Sequence, residues 1–249
     1  MEADRRKRFQ IILVVLLLLV VVRTAYLFYQ RHQASKPVQK QVTYSANLDD
    51  YVLPPKIYPF DLKSARKEMV GKTVWVKAGN QLPFYPYNSA SKQAELNRQA
   101  GLLPPLQKLE IKEVSSQRIP KTLAEGQVAV VQHELMAIFA EPDHPGRYAV
   151  SIGTNTGEDF NFIVNDLFFF ADPHELYKHW PADVWSAIEQ HQAKAGMSEL
   201  QVSFALGTAG DFGPGDYGTR TVEYTNNGNP VKVTFEKNKA VTVAPAVKQ

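Results

Sequence analysis

Between Gly71 and Phe170 the chain carries six short runs rich in β-branched and aromatic residues, with no long helical pattern between them. They are KTVWVK (Lys72–Lys77), LQKLEIKEV (Leu106–Val114), GQVAVVQ (Gly126–Gln132), ELMAIFA (Glu134–Ala140), GRYAVSIG (Gly146–Gly153) and DFNFIVNDLFFF (Asp159–Phe170). Several alternate with the period of two that puts apolar side chains on one face of a strand. Turn material separates them, including Pro142-Asp143-His144-Pro145-Gly146 and Thr154-Asn155-Thr156-Gly157. Without crossover helices a parallel sheet has no connections, so residues 64–171 are expected to form an antiparallel, small-barrel-like β domain.

One insertion interrupts these strands. In QLPFYPYNSASKQAELNRQAGLLPP (Gln81–Pro105), Phe84, Tyr85 and Tyr87 stand beside Pro83 and Pro86, and the polar Ser89–Arg98 reads as a short helix. Aromatics among prolines on a long loop suit a contact edge for a peptide or glycan. The competing reading has the rings fold back to cap the barrel, because large rings find burial.

The C-terminal part, residues 172–249, changes character. PADVWSAIEQHQAKA (Pro181–Ala195) opens on proline and meets Gly196, which predicts one helix. In GMSELQVSFALG (Gly196–Gly207), Ser198 and Gln201 form an S-x-x-Q capping box, and Met197 and Val202 occupy its hydrophobic staple. Gly207 suits the left-handed residue that ends a helix. Downstream, RTVEY (Arg220–Tyr224) and PVKVTFE (Pro230–Glu236) flank Asn226-Asn227-Gly228-Asn229, a hairpin turn, and AVTV (Ala240–Val243) supplies a third strand. Two helices on a three-stranded antiparallel sheet follow.

This order resembles the SmpA/OmlA (BamE-like) domain of outer-membrane assembly lipoproteins. The matching residues are Gly196-Met197, Val202, Leu206-Gly207, Arg220 to Tyr224, and Val231 to Glu236 with Lys239, over roughly residues 181–243. The resemblance implies an α+β domain without catalysis that contacts other proteins in a bacterial envelope. Members of that family carry an acylated cysteine, and this chain has no cysteine.

The N-terminal end is where the positive charge lies. Residues 1–40 hold 8 Lys/Arg against 2 Asp/Glu, leaving 20 against 23 for residues 41–249. A mildly acidic remainder is a poor match for nucleic acid. FQIILVVLLLLVVVRTAYLFY (Phe9–Tyr29) reads as a single transmembrane anchor, with Arg5, Arg6, Lys7 and Arg8 on its cytoplasmic side. The rival, a cleaved signal peptide, lacks a small-residue cleavage site. Residues 1–32 would thus be tail and inner-membrane anchor, and residues 33–63 a proline-punctuated tether, with the bulk of the chain periplasmic. YVLPPKIYPF (Tyr51–Phe60) in that tether could also dock as a proline-rich ligand.

Catalytic patterns fail on context. Gly213-Pro214-Gly215-Asp216-Tyr217-Gly218 fits G-x-G-x-x-G, but a helix precedes it and a strand follows, the reverse of a dinucleotide site. His174 and His179 are five apart, about 140° around a helix, and cannot share a metal. His133-Glu134 has no further ligand near it in sequence. No cofactor, metal or catalytic residue is therefore expected. Thr208–Arg220 remains as a glycine-rich loop bearing Phe212 and Tyr217, which either dock a partner or tuck beside Tyr224. The function expected is protein–protein interaction or scaffolding in the envelope. Binding of a cell-wall polymer through Phe84, Tyr85 and Tyr87 is the alternative, and a hydrolase a distant third.

Overall fold

The computed structural model describes residues 18–29, 48–119, 132–140 and 146–246. The chain divides into two units, Met1–Ala46 and Asn47–Gln249.

In the first unit, residues 18–29 are helical (α1). At ~1.5 Å per residue they reach about 18 Å, against about 30 Å of hydrocarbon. No helix among the described residues is long and apolar enough to cross a membrane. This corrects the expected transmembrane helix, single-pass topology and signal anchor. Residues 9–17 of that run lie outside the described residues.

The second unit is mostly sheet. Nine strands make one antiparallel sheet: β1 (Thr73–Val76), β2 (Leu82–Asn88), β3 (Gln93–Ala94), β4 (Gly101–Leu103), β5 (Lys108–Arg118), β6 (Gln132–Ala140), β7 (Arg147–Thr156), β8 (Asp159–Phe162) and β9 (Phe168–Phe169). Their order is β3-β2-β7-β6-β5-β1-β9, with β4 also on β2 and β8 also on β7. The expected small barrel is corrected to an open sheet, since no ladder among the described residues joins β9 back to β3. Gly126–Val131 of the expected third strand lie outside the described residues.

Three local expectations also change. The Gln81–Pro105 insertion is not a loop with a helix: it supplies β2, β3 and β4. Pro83 and Pro86 fit in β2 because its partners change along its length, and the Pro86 carbonyl still accepts the Glu95 N–H. Asp159–Phe170 is not one strand. Asn165-Asp166 favours strand poorly, and one helical turn, α3 (Val164–Leu167), breaks the run and buries Val164 and Leu167. Finally, α2 (Leu62–Met69) stands where tether gives way to strands, started by Asp61, whose carboxylate accepts the Ser64 N–H at 2.6 Å.

The C-terminal part has α4 (Pro173–Leu176), α5 (Ala182–Glu189) and α6 (Glu199–Leu206) against a second sheet ordered β10 (Ala209–Phe212), β11 (Thr221–Tyr224), β12 (Val231–Glu236) and β13 (Lys239–Pro245). The three-stranded sheet expected here is corrected to four, because Ala209–Phe212 pairs with β11. Helix α5 ends at Glu189, short of Ala195, where His191 takes a positive φ of 54°. Helix α6 has the expected capping box, with Ser198 Oγ accepting the Gln201 N–H and Gln201 Oε1 accepting the Ser198 N–H. Met197 and Val202 are buried beside it. Gly207 ends it at φ 87°, ψ −164°, a region open essentially to glycine alone but not the left-handed helical one.

Val222, Tyr224, Val233 and Phe235 face these helices and are at most 1% exposed. Each such burial contributes ~1.5–3 kcal/mol. The same core takes Trp75 of β1 and Phe169 of β9. At the turn after β1, Asn80 Nδ2 donates to the Leu206 carbonyl at 2.8 Å, and the Gly79 carbonyl accepts the Thr208 N–H at 3.0 Å. The end of α6 is thus capped by the large sheet's own connection.

Candidate functional site

The helix α6 capping box puts Glu199 at the first helical position, where the unpaired N–H groups favour a carboxylate. Its side chain is only 4% exposed, and a charge that deep needs partners. It has three bonds from two residues. Oε1 accepts from Arg220 Nη2 at 2.6 Å and Nε at 3.0 Å, and Oε2 accepts the Gly218 N–H at 2.7 Å.

Further bonds tie the same corner together. The Glu199 N–H donates to Asn238 Oδ1 at 3.2 Å, and the Asn238 N–H donates to the Gly218 carbonyl at 2.7 Å. Gly218, at φ 77°, has Asn238 Cβ 2.9 Å from where its own Cβ would stand, so the turn requires glycine. The glycine-rich loop is therefore fastened at its C-terminal end, and its N-terminal end is strand β10.

Arg220 is the hub of the site. Its guanidinium lies 4.2 Å from the Phe212 ring centre and 5.7 Å from that of Tyr217. The two rings remain 53% and 55% exposed. They do not hang free: both lie against a cation that a buried carboxylate holds, and Tyr217 is close enough to Tyr224 to interact with it electrostatically. Partial desolvation, then the Glu199 charge, pushes the Tyr217 phenol above the ordinary tyrosine value, so it stays a neutral donor at physiological pH.

The other predicted ring cluster goes elsewhere. Phe84 is 9% exposed and packs on Phe139 and Tyr148, with ring centres 6.1 and 5.3 Å away. Tyr87 is 7% exposed on the opposite face of the sheet, where Tyr85 is half-buried. The structure thus separates Phe84 from Tyr85 and Tyr87, on opposite faces of the large sheet. Alternation along β2 puts neighbouring rings on opposite faces.

No family model, curated protein or solved structure matches this chain. The site's chemistry therefore rests on its own residues.

The histidines face different partners. His174 stacks on Trp185 at 4.1 Å, with Nδ1 3.2 Å from Asp172. His179 Nε2 and Trp180 Nε1 each lie 2.6 Å from Asp49 Oδ1. Among the described residues no group of three acidic, His or Cys side chains could hold a metal. The G-x-G-x-x-G stretch runs between β10 and β11, with no helix after it to receive a phosphate. Ser151 Oγ donates to Glu134 on the large sheet, and His133 Nδ1 is buried without a partner among the described residues.

Sequence reasoning singled out Phe212 and Tyr217 but not Glu199 and Arg220. The only signal was an acidic residue just inside a capped helix and an arginine just before a strand. Their pairing needs the fold.

Proposed function

We propose that the chain is a non-enzymatic interaction protein, and that the face formed by Phe212, Arg220 and Tyr217 docks another protein of a bacterial envelope. One observation carries this reading: two large, half-exposed rings lie with their centres 4.2 and 5.7 Å from a guanidinium that a buried glutamate fixes. Tyr and Arg are enriched at the energetic centres of interfaces. A side chain ordered before binding loses less freedom on association, which strengthens docking. Each ring contact to the guanidinium contributes ~0.5–1 kcal/mol at such an exposed site.

The envelope assignment rests on the resemblance to SmpA/OmlA domains. The order of α5, α6 and then β11, β12 and β13 supports it, with β10 inserted between α6 and β11. The test is a photo-crosslinker at exposed Asp216 in living cells. A discrete product that requires both rings supports the reading, and a product indifferent to them removes it.

A further inference from the structure

The stretch Tyr51–Phe60, YVLPPKIYPF, runs on from the 3-10 turn Leu48–Tyr51 without regular structure and bears large apolar residues on two sides. One side is used by the fold. Val52 packs against the C-terminal core and Ile57 against the core of the large sheet. Asn165 clamps the Ile57 peptide, accepting its N–H at 3.1 Å and donating Nδ2 to its carbonyl at 2.7 Å. The other side is bare. Tyr51, Leu53, Tyr58 and Phe60 are 72%, 86%, 74% and 76% exposed, the four most exposed large apolar side chains among the described residues. Pro54, Pro55 and Pro59 restrict the backbone, so this strip cannot readily collapse to hide them.

Charge distinguishes this region from the rest of the body. Residues 51–77 hold 6 Lys/Arg against 2 Asp/Glu, whereas the rest of residues 47–249 holds 14 against 21, Asp49 and Asp50 just before Tyr51 among them. All six cations, Lys56, Lys63, Arg66, Lys67, Lys72 and Lys77, are exposed. Of the two acids, Asp61 is engaged in capping α2. Exposed tyrosine, phenylalanine and leucine adjoining a lysine-rich segment match the headgroup region of an anionic bilayer, where rings sit at the interface and lysines meet lipid phosphates. A partner that reads polyproline would grip the prolines themselves. Here Pro54 and Pro59 are half-buried against the body.

We propose that Tyr51, Leu53, Tyr58 and Phe60, with Lys63 and Lys67 of α2, seat residues 47–249 on an anionic lipid surface. The contact is peripheral and uses residues separate from the Phe212–Tyr217 face. The chain has no cysteine, so one can be introduced at a chosen site and labelled with a polarity-sensitive fluorophore. Leu53→Cys probes the strip and Ser91→Cys, exposed on the β2–β3 turn, is the control. In the full chain with phosphatidylglycerol-containing vesicles, the label at 53 should shift to the blue and be quenched by brominated lipid, while the label at 91 should not change. Lys63→Gln with Lys67→Gln should weaken the response on the order of tenfold. An unchanged label at 53, an equal change at 91, or an equal response to pure phosphatidylcholine overturns the proposal. A shift produced by a lipid-free protein extract but not by vesicles assigns the strip to a protein partner instead.

Discussion

Arg220 gives two N–H groups to one oxygen of Glu199, at 2.6 and 3.0 Å, across the corner where helix α6 meets strand β11. The pair joins the first turn of a helix to the mouth of a glycine-rich loop. The same guanidinium lies 4.2 Å from the Phe212 ring centre and 5.7 Å from that of Tyr217.

Removing one partner of this pair is more harmful than its small surface suggests. Arg220→Ala leaves the Glu199 carboxylate, 4% exposed, without its cation. Such a loss costs about 3–5 kcal/mol when the pair is fully buried, and Arg220 at 19% exposure places it near the lower end. Arg220→Lys should recover only part, since an ammonium lacks the planar fork. Urea unfolding of the three proteins checks the order. A loss below about 1 kcal/mol for Arg220→Ala would show the carboxylate to be solvated after all.

The caps of α6 make a second, graded expectation. Ser198→Ala removes the acceptor for the Gln201 N–H and should cost about 0.5–2 kcal/mol. Gly207→Ala should cost more than this, because its Cβ would lie 2.3 Å from the Gly79 carbonyl oxygen, a backbone atom that cannot swing aside. Thermal melting of the full chain ranks the two. Equal melting points would contradict the close approach of Gly207 to the β1–β2 turn.

Helix α2 should respond to acid through Asp61. Its carboxylate accepts the Ser64 N–H and hydroxyl interactions also favour the charged form, so the acid is held below the ordinary carboxylate value. A lowered folded value means the contribution is complete above the unfolded value and lost as pH falls through the folded one. Ser64 amide protection should therefore decline on acidification in the native chain. In Asp61→Asn, whose amide oxygen can still cap, it should be insensitive to acid over that range. Identical acid profiles for the two proteins would rule out Asp61 as the cap that matters.

Short-range chemistry was legible in the sequence, and long-range pairing was not. Ser198, Gln201, Met197 and Val202 sit within six consecutive residues, so their capping and staple follow from spacing alone. The asparagine-rich turn was readable for the same reason, as Asn226, Asn227 and Gly228 all take positive φ. By contrast, Ala209–Phe212 becomes a strand only because β11 offers it a partner, and nothing in AGDF demands that. Prolines 83 and 86 argued for a loop, yet β2 tolerates them where its neighbours change over. Glu199 and Arg220 are 21 residues apart and meet only when the sheet and helix are assembled.

If Phe212 and Tyr217 serve a partner rather than the fold, the double variant Phe212→Ala/Tyr217→Ala should lose the partner and keep its stability. Both rings are more than half exposed, so the melting point should stay close to that of the native chain, whereas Phe235→Ala, at 1% exposure, should lose about 3–5 kcal/mol. Crosslinking from position 216 in cells should yield a discrete product in the native protein and none in the double variant. A product that persists in the stable double variant would contradict the account.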